Sequence, residues 1–469
     1  MQKIADALGV PCPVKVQHTA VQAVVSDSRQ VSHGALFACV PGERCDGHDY
    51  AQAACEQGAC AILAEHPLEG LQERFPDVAV FITDNSIRAL GRIAAAWRDM
   101  YKGTVIGLTG TAGKTTTKEW LAAVLGSTGA VAKTEGNHNN QLGLPLSMLA
   151  AKGDERFWIF ECGVSHPQDM DELGAILRPD IAIVLNVGEG HTEGLGDKGV
   201  AWYKTRLFKY LSEGGTAVAS ADYADLVCKA MDACPKTLFF TAKSSSYADE
   251  ARIASRVRHI QDSLYEAQVS LGGKTLSCRT AMPMAGDAAA ENLACLALVC
   301  ALLHVDLAEI EKKLQDVVLP GHRFSRKNCG SAILIDDCYN ANPLSMKRML
   351  QAAAGEAAAS GSPLVAVLGE MGELGSLAYD AHVRLGRELK ALAPLCVFWK
   401  GGLGEALREG LGSAIPLVFF ESDEELCAQM RSQGIKPGEK YTVLCKGSRS
   451  NHLETACLAM ESYFGAESD

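Results

Sequence analysis

The sequence predicts an α/β protein with several domains, and three observations support this. The chain has 469 residues, a length typical of two to four domains. Hydrophobic residues make up 48% of it, which suffices for folded cores and argues against disorder. Strand-like and helix-like patterns alternate in order, most clearly around residues 104–125 and through the last third of the chain.

In the first hundred residues, short apolar runs predict strands at 23–25, 35–38, 61–63 and 78–82. Helical patterns lie between them, at 51–57 and 87–100. Two polar clusters interrupt this region, at 26–29 and 46–48. Taken alone, such clusters are more typical of turns and helix caps than of ligand sites.

Residues 104–117 read Thr-Val-Ile-Gly-Leu-Thr-Gly-Thr-Ala-Gly-Lys-Thr-Thr-Thr. A buried strand, a glycine-rich turn and a helix in this order are typical of a phosphate-binding loop. In such a loop backbone N–H groups face the polyphosphate, a lysine (here Lys114) reaches its outer oxygens, and a hydroxyl (here Thr115) reaches Mg²⁺. The strict spacing G-x-x-x-x-G-K-[ST] is not met, because Leu108 stands where its first glycine belongs. The sequence nevertheless predicts that this protein binds a nucleoside triphosphate.

Further polar residues follow the loop in positions that suit this chemistry. Glu161 ends the apolar strand 157–161, where a carboxylate beside a phosphate loop faces Mg²⁺. The next buried strand, 181–185, leads to Asn186 and, past a glycine turn, to His191. The helical stretch after that turn contains Lys204.

The last third of the chain alternates strands and helices in the rhythm of a doubly wound domain. Strands are predicted at 332–335, 364–368, 396–399, 416–420 and 441–444. Charged or polar groups follow three of these strands, at 336–340, 369–373 and 446–449. Because ligands bind at the carboxyl ends of parallel strands, we expect these groups to meet at one edge of the sheet.

Composition excludes several classes of function. A net charge of −12 without a long basic run argues against nucleic acid as the main partner. The sequence shows neither an apolar run of membrane-spanning length nor a signal peptide at its start. Seventeen cysteines are scattered without a C-x-x-C pair, which favours free thiols in a reducing cytoplasm over a zinc ribbon or redox pair.

Together these motifs resemble the Mur ligase family, the ATP-dependent amide-forming enzymes of peptidoglycan synthesis. The family motifs are Gly-Leu-Thr-Gly-Thr-Ala-Gly-Lys-Thr-Thr at 107–116, Glu161, and Asn186-Val187-Gly188 followed by His191. Within the family, the chain is most similar to the branch that adds D-alanyl-D-alanine to UDP-N-acetylmuramoyl-tripeptide. Strings at 27–29, 46–48, 137–140, 336–343, 368–375 and 446–449 carry this closer resemblance.

The resemblance implies three domains. Residues 1–100 would bind the UDP end of the substrate, residues 101–320 would form the ATPase domain, and residues 321–469 would form a Rossmann-like domain. It also implies a cytoplasmic monomer that forms an acyl phosphate from the tripeptide carboxylate and ATP. The amine of D-alanyl-D-alanine would then displace phosphate.

The resemblance also implies roles for individual residues. The catalytic set would be Lys114, Glu161, His191, Lys204 and Arg323. Mg²⁺ would be held by Thr115, Glu161, His191 and a CO₂-derived carbamate on Lys204. ATP would contact Gly110, Thr111, Ala112, Gly113, Lys114, Thr115, Thr116, Asn292, Arg323, Asp337, Tyr339 and Asn342. The other substrates would contact Ser28, Arg29, Asp46, Gly47, His48, Asn137, Asn139, Asn140, Lys446, Ser448 and Arg449.

Two departures from the family pattern stand out. Ala288 and Ala289 occupy positions where relatives carry a His-Asn pair, so only Asn292 of that motif can be carried over. Arg206 follows Lys204 where relatives tend to have a glutamate, which changes the charge near the expected carbamate.

Two alternatives remain open from the sequence. One is a related ligase with another substrate pair, such as a folylpolyglutamate-type enzyme; the other is a phosphate-loop switch protein that only hydrolyses nucleotide. The third residue of the tripeptide, diaminopimelate or lysine, is also open.

Overall fold

The computed structural model describes residues 1–188, 194–195, 198–244, 246–261, 263–282 and 286–465. In this part of the chain the strands form three sheets, of four, nine and six strands. Helices from the same stretches of sequence accompany each sheet. The predicted three-domain α/β fold is therefore confirmed.

The N-terminal sheet is parallel and its strands follow chain order. Its strands are β1 (Ala23–Val25), β2 (Ala35–Ala38), β3 (Ala61–Ala64) and β4 (Ala79–Ile82). Its helices are α1 (Gln2–Leu8), α2 (Ala51–Glu56), α3 (Leu71–Arg74) and α4 (Ser86–Met100). Strands β2 and β3 are buried along their whole length, as expected for inner strands of a parallel sheet covered on both faces.

The central sheet has the order β13-β12-β11-β10-β9-β8-β5-β7-β6. Its strands are β5 (Thr104–Thr109), β6 (Val131–Lys133), β7 (Phe157–Glu161), β8 (Ile181–Val184), β9 (Thr216–Ser220), β10 (Leu238–Thr241), β11 (Ile253–Gln261), β12 (Leu264–Leu271) and β13 (Lys274–Ala281). Its helices are α5 (Lys114–Leu125), α6 (Gly143–Ala150), α7 (Asp169–Leu177), α8 (Val200–Thr205), α9 (Ala224–Ala233), α10 (Asp287–Leu302) and α11 (Ala308–Leu314). The sheet is parallel from β6 to β11, and β12 and β13 extend it with antiparallel pairing.

The C-terminal sheet has the order β14-β15-β19-β16-β17-β18. Its strands are β14 (Ser325–Cys329), β15 (Ala332–Asp336), β16 (Leu364–Gly369), β17 (Cys396–Lys400), β18 (Leu417–Phe419) and β19 (Thr442–Lys446). Its helices are α12 (Pro343–Ser360), α13 (Ala378–Leu392), α14 (Gly404–Leu411), α15 (Asp423–Ser432) and α16 (Leu453–Gly465). Strands β15, β19 and β16 are parallel neighbours, so the three charged strand ends do meet at one edge, as predicted.

Helix α10 is the most deeply buried helix of the central domain, since every residue from 289 to 301 is buried. Its Ala, Leu and Cys side chains suit an element that packs against α5, β11 and β12. Two polar residues in its first turns, Glu291 and Asn292, are buried with them. The helix therefore delivers two polar side chains into the interior, next to the phosphate loop.

Ion pairs join the N-terminal and central domains. Arg98 in α4 lies 3.2 Å from the Asp180 carboxylate, and Arg178 pairs with Asp99 at 2.6 Å. Helix α4 also packs against α6 and α7. These contacts hold the N-terminal sheet on the face of the central domain that carries α6 and α7.

All seventeen cysteines are free thiols, which confirms the prediction from their spacing. No helix among the described residues is long and apolar enough to cross a membrane.

Candidate active site

A cavity of about 630 Å³ lies between the phosphate loop of the central domain and the charged strand ends of the C-terminal domain. Most residues predicted for the site line this cavity: Thr111, Ala112, Gly113, Lys114, Thr115, Thr116, Asn137, Asn139, Glu161, Lys204, Asn292, Arg323, Asp337, Tyr339, Asn342, Lys446, Ser448 and Arg449. Sequence positions more than 330 residues apart thus meet at one place.

The phosphate loop is held in shape by its neighbours. Gly113 has φ of 79°, in the left-handed region, and a Cβ there would lie 2.9 Å from the Asn292 Oδ1 atom, so glycine is required. Asn186 clamps the loop from the other side: its Oδ1 accepts from Ala112 N at 2.8 Å and its Nδ2 donates to Ala112 O at 3.0 Å. These two hydrogen bonds hold the loop backbone at Ala112.

A buried lysine, Lys204, and a half-buried one, Lys114, converge on one backbone oxygen of this loop. Lys114 Nζ donates to the Gly110 carbonyl at 2.8 Å, and Lys204 Nζ donates to the same oxygen at 3.3 Å. Burial lowers the pKa of Lys204 well below the usual lysine range, and the charge of Lys114 lowers it further. Burial also lowers the pKa of Lys114, with Glu161 opposing and Arg323 reinforcing this effect.

Oxygen donors suited to Mg²⁺ lie on the adjacent wall. Thr115 Oγ1 donates to Glu161 Oε1 at 2.9 Å, and both side chains are buried at the cavity. A hydroxyl and a carboxylate, with phosphate oxygens and water completing the shell, fit a hard cation of this size. Lys118 lies 3.3 Å from the same carboxylate oxygen and donates to Thr134 O at 2.6 Å.

Four C-terminal side chains, Asn342, Arg323, Tyr339 and Arg449, close the cavity from the opposite side. Asn342 caps α12 through a capping box with Ser345, and its Nδ2 also donates to Thr111 O of the phosphate loop at 3.2 Å. The Arg323 guanidinium lies over the Tyr339 ring, 3.8 Å from its centroid. The Arg449 guanidinium is near the same ring, at 5.5 Å.

Lys446 lines the cavity but its ammonium is already engaged. It donates to the Asp337 carboxylate at 2.5 Å and to the Asn340 carbonyl at 2.9 Å, and its side chain is almost fully buried. Asp337 in turn accepts from Phe324 N at 3.0 Å. These contacts tie the ends of β15 and β19 together, so the lysine fixes the shape of this wall.

Other predicted residues lie away from the cavity lining. The Asn140 side chain accepts from Gly143 N at the start of α6 at 2.8 Å, and Gly110 contributes the carbonyl shared by the two lysines. His191 lies outside the described residues. The remaining ones, Ser28, Arg29, Asp46, Gly47 and His48, belong to the N-terminal domain.

Two of these N-terminal residues differ sharply in availability. The Arg29 side chain is 87% exposed and pairs only with Asp27 within its own turn. His48 is buried, with its Nδ1 at 2.5 Å from the Asp46 carboxylate and its Nε2 accepting from Glu65 N at 2.9 Å. Both ring nitrogens of His48 are thus occupied, which argues against direct hydrogen bonding of that ring to a ligand.

Sequence reasoning missed several residues that shape the site. Lys118 had a local signal, since it stands four residues after Lys114 on α5. Glu291 and Arg348 had no such local signal. They form a buried ion pair at 2.6 Å although they lie 57 residues apart in the sequence and belong to different domains. Asn292 lies inside α10, which begins at Asp287 with Gly286 at its N-cap, so Asn292 does not cap this helix.

Comparison with known proteins agrees with this geometry along the whole chain. Residues 20–98, 108–301 and 322–449 match the Mur ligase family catalytic domain, the Mur ligase middle domain and the Mur ligase glutamate ligase domain. The UDP-N-acetylmuramoyl-tripeptide–D-alanyl-D-alanine ligase of Synechocystis sp. is 32% identical over 91% of this chain and 89% of its own.

Solved structures give the same result. MurF from Acinetobacter baumannii superposes with a TM-score of 0.84 at 26% identity, covering 98% of both chains. MurF ligase from Thermotoga maritima, solved in complex with ADP, has a TM-score of 0.78 at 27% identity and covers 97% of this chain and 99% of its own. The chain belongs to the Mur ligase family.

Proposed function

We propose that this protein is an ATP-dependent ligase that joins D-alanyl-D-alanine to UDP-N-acetylmuramoyl-tripeptide in peptidoglycan precursor synthesis. The observation that carries the proposal is the shared cavity, in which a phosphate loop faces the charged strand ends of a second domain. A switch protein that only hydrolyses nucleotide would not need that second wall. The named relatives that match over nearly the whole chain supply the substrate pair.

The cavity suits formation of an acyl phosphate. The substrate carboxylate attacks the γ-phosphorus of ATP, the bond to ADP breaks, and the acyl phosphate forms. Lys114 and the loop N–H groups hold the phosphate oxygens during this transfer, and Arg323 adds positive charge from the C-terminal side. The amine of D-alanyl-D-alanine then attacks the acyl carbon, and phosphate leaves from the tetrahedral intermediate.

Mg²⁺ fits the wall formed by Thr115 and Glu161, which we propose as its protein ligands together with His191. When bound, Mg²⁺ neutralises charge on the phosphate oxygens. Lys118 lies 3.3 Å from the same carboxylate and holds Glu161 in place.

We further propose that Lys204 carries a carbamate. Only a neutral amine reacts with CO₂, and the lowered pKa of this buried lysine increases the fraction of neutral amine. The reaction converts R–NH₂ and CO₂ into R–NH–COO⁻ and a proton. It also replaces a repulsion between two lysines at Gly110 O with an attraction between Lys114 and an anion.

Three further expectations remain proposals. The UDP end of the substrate binds the N-terminal domain through Ser28, Arg29 and the turn at 46–48. The active unit is a monomer. Free thiols throughout the chain fit a reducing cytoplasm.

Phosphate release measured with ATP and each substrate combination tests the proposal. A ligase of this kind releases phosphate only when both the UDP-linked tripeptide and D-alanyl-D-alanine are present, and mass spectrometry detects the joined product. Tripeptides ending in diaminopimelate and in lysine are compared in parallel. Phosphate release from ATP alone at the same rate would favour a switch protein, and turnover only with a folate substrate would favour the folylpolyglutamate-type alternative.

A further inference from the structure

A continuous row of buried polar groups runs from helix α12 of the C-terminal domain to the phosphate loop. Arg348 Nη2 donates to Glu291 Oε2 at 2.6 Å. The same carboxylate oxygen accepts from Asn186 Nδ2 at 2.9 Å, and Asn186 holds both the N–H and the carbonyl of Ala112. The row therefore ends on the backbone of the loop that faces the polyphosphate.

Among the described contacts, Glu291 has one cationic partner, Arg348, and this partner belongs to the C-terminal domain. The Glu291 side chain is 2% exposed, and its other partners are neutral: Asn186 at 2.9 Å, Ser220 at 3.2 Å and the Tyr223 hydroxyl. A buried carboxylate without a cation is strongly unfavourable, whereas a paired one is tolerated. Docking of α12 is thus the event that satisfies Glu291.

Other groups around the pair do not replace this contact. Arg348 also donates to the Tyr223 hydroxyl at 2.5 Å, and Asp222 lies near Tyr223 and Glu291 and adds negative charge. Because Asp222 and Glu291 repel each other, the positive charge of the Arg348 guanidinium stabilises this group of side chains more strongly. Among the described contacts, one other hydrogen bond connects the start of α12 directly to the loop backbone. Asn342 at the N-cap of α12 donates it to Thr111 O.

We propose that the Arg348–Glu291 pair is a closure latch: it couples docking of the C-terminal domain to the conformation of the phosphate loop through Asn186. Glu291 is a positioning residue, since it acts on the nucleotide through Asn186 and Ala112. Arg348 holds Glu291 and also lines the cavity. The kinetic consequence rests on the proposed ligase function, whereas domain closure and ADP binding do not. The latch gives the enzyme a way to complete its phosphate site only when both domains have met.

The test is a double-mutant cycle with Glu291→Gln, Arg348→Met and the double variant, together with the conservative variant Arg348→Lys. Each single substitution leaves one buried charge uncompensated. We expect each to weaken ADP binding and to lower kcat/KM for ATP by on the order of tenfold or more. The double variant removes both charges, so its loss should be no larger than that of either single variant. Arg348→Lys should recover part of the loss.

Small-angle X-ray scattering gives a readout that simple destabilisation would not produce. We expect Arg348→Met, folded by circular dichroism, to have a larger radius of gyration than the unchanged protein, and Arg348→Lys to have a smaller increase. Arg326→Met is the matched control, because Arg326 pairs with Glu356 in the same domain on a half-exposed surface. If Arg348→Met does not fold, Glu291→Gln and Arg348→Lys decide the question by the same measurements.

Additive losses in the cycle, or unchanged ADP affinity and scattering in the folded variants, would overturn the latch. Failure of the proposed function gives a different result, namely that the unchanged protein forms no ligation product although the variants still differ in ADP binding and scattering.

Discussion

At the scale of single residues, the arrangement of Lys114 and Lys204 is unusual because two potential cations share one acceptor away from water. Neutralising one of them relieves the conflict. Burial lowers the pKa of both amines, but it lowers that of Lys204 well below the usual lysine range, so Lys204 is the better candidate. Arg206, the departure noted in the sequence, does not add to the conflict. It pairs with Asp171 at 2.5 Å and lies over the Trp202 ring, so its charge is directed away from Lys204.

We predict that Lys204→Ala lowers ligation by at least about a hundredfold and that short carboxylates such as acetate restore part of it. The substitution removes the anion that balances Lys114, and a free carboxylate can occupy the vacated space. Carbon-13 NMR of the unchanged protein with labelled bicarbonate should show a carbamate resonance that the variant lacks. Lys229→Ala, at an exposed pair with Asp232, serves as the control. The carbamate proposal fails if the resonance persists in the Lys204 variant.

Asn292 is the one residue of its motif that remains polar, and its Oδ1 atom has no hydrogen-bond partner among the described residues. It lines the cavity beside Gly113. We predict that Asn292→Ala weakens ATP binding severalfold, which corresponds to about 1 kcal/mol for a hydrogen bond left unmade. Discrimination between ATP and GTP should also relax, because Ala288 and Ala289 offer no side-chain hydrogen bonds.

Calorimetric titration of ATP and GTP with this variant, and with Asn328→Ala on exposed β14 as control, checks the prediction. Because Asn292 lies inside α10, loss of helix capping cannot account for a change. Unchanged affinity and selectivity would remove Asn292 from the nucleotide site.

At the scale of elements, His322 and Asp336 connect the start of the C-terminal domain to the end of β15. Their side chains meet at 2.7 Å, and His322 has φ of 51°. Burial alone lowers the pKa of His322, but the hydrogen bond and charge of Asp336 outweigh it, so the pKa is raised above 6.5. A histidine with a raised folded-state pKa stabilises the fold below pH 6.5, and this contribution is lost as pH rises through the raised value.

We therefore predict that His322→Asn lowers the free energy of unfolding at pH 5.5 and has little effect on it at pH 9. Asparagine tolerates the left-handed backbone, so the difference reports the ion pair. Its size should stay within about 1 kcal/mol, because the imidazole is 42% exposed and solvent screens the pair. Urea unfolding at both pH values measures it. An equal loss of unfolding free energy at pH 5.5 and at pH 9 would show that the charge of His322 does not contribute to stability.

The sequence predicted strands and helices correctly where burial produces a run or a period of apolar residues. It did not predict elements whose side chains are mostly exposed. The apolar run at 157–161 predicted β7 with its correct bounds, because all its side chains are buried. Strand β14 was not predicted: it is an antiparallel edge strand, and Arg326, Lys327 and Asn328 are exposed along it. The Arg348–Glu291 pair was invisible for a related reason, since contacts between domains have no local period in the sequence.

At the scale of the whole molecule, the described N-terminal domain contributes no residue to the lining of the nucleotide cavity. ATP and the UDP end of the substrate should therefore bind to separate parts of the protein. The family motifs predicted that ATP and the UDP end bind to different domains. The contacts between the central and C-terminal domains could be identified only from the structure. A substitution in the N-terminal domain should accordingly change the affinity for one substrate only.

Arg29 provides the clearest test of this separation. Its guanidinium is exposed on a short turn, Ser28–Gln30, with Asp27 as its partner, and a guanidinium can bind a diphosphate through paired hydrogen bonds. We predict that Arg29→Ala raises the KM for the UDP-linked tripeptide about tenfold, the loss of roughly one hydrogen bond to a charged group. The KM for ATP and the thermal stability should stay unchanged. Arg74→Ala, which removes another exposed arginine of the same domain, is the control. An equal rise in both KM values would place Arg29 in a structural role and would contradict the separation of the two sites.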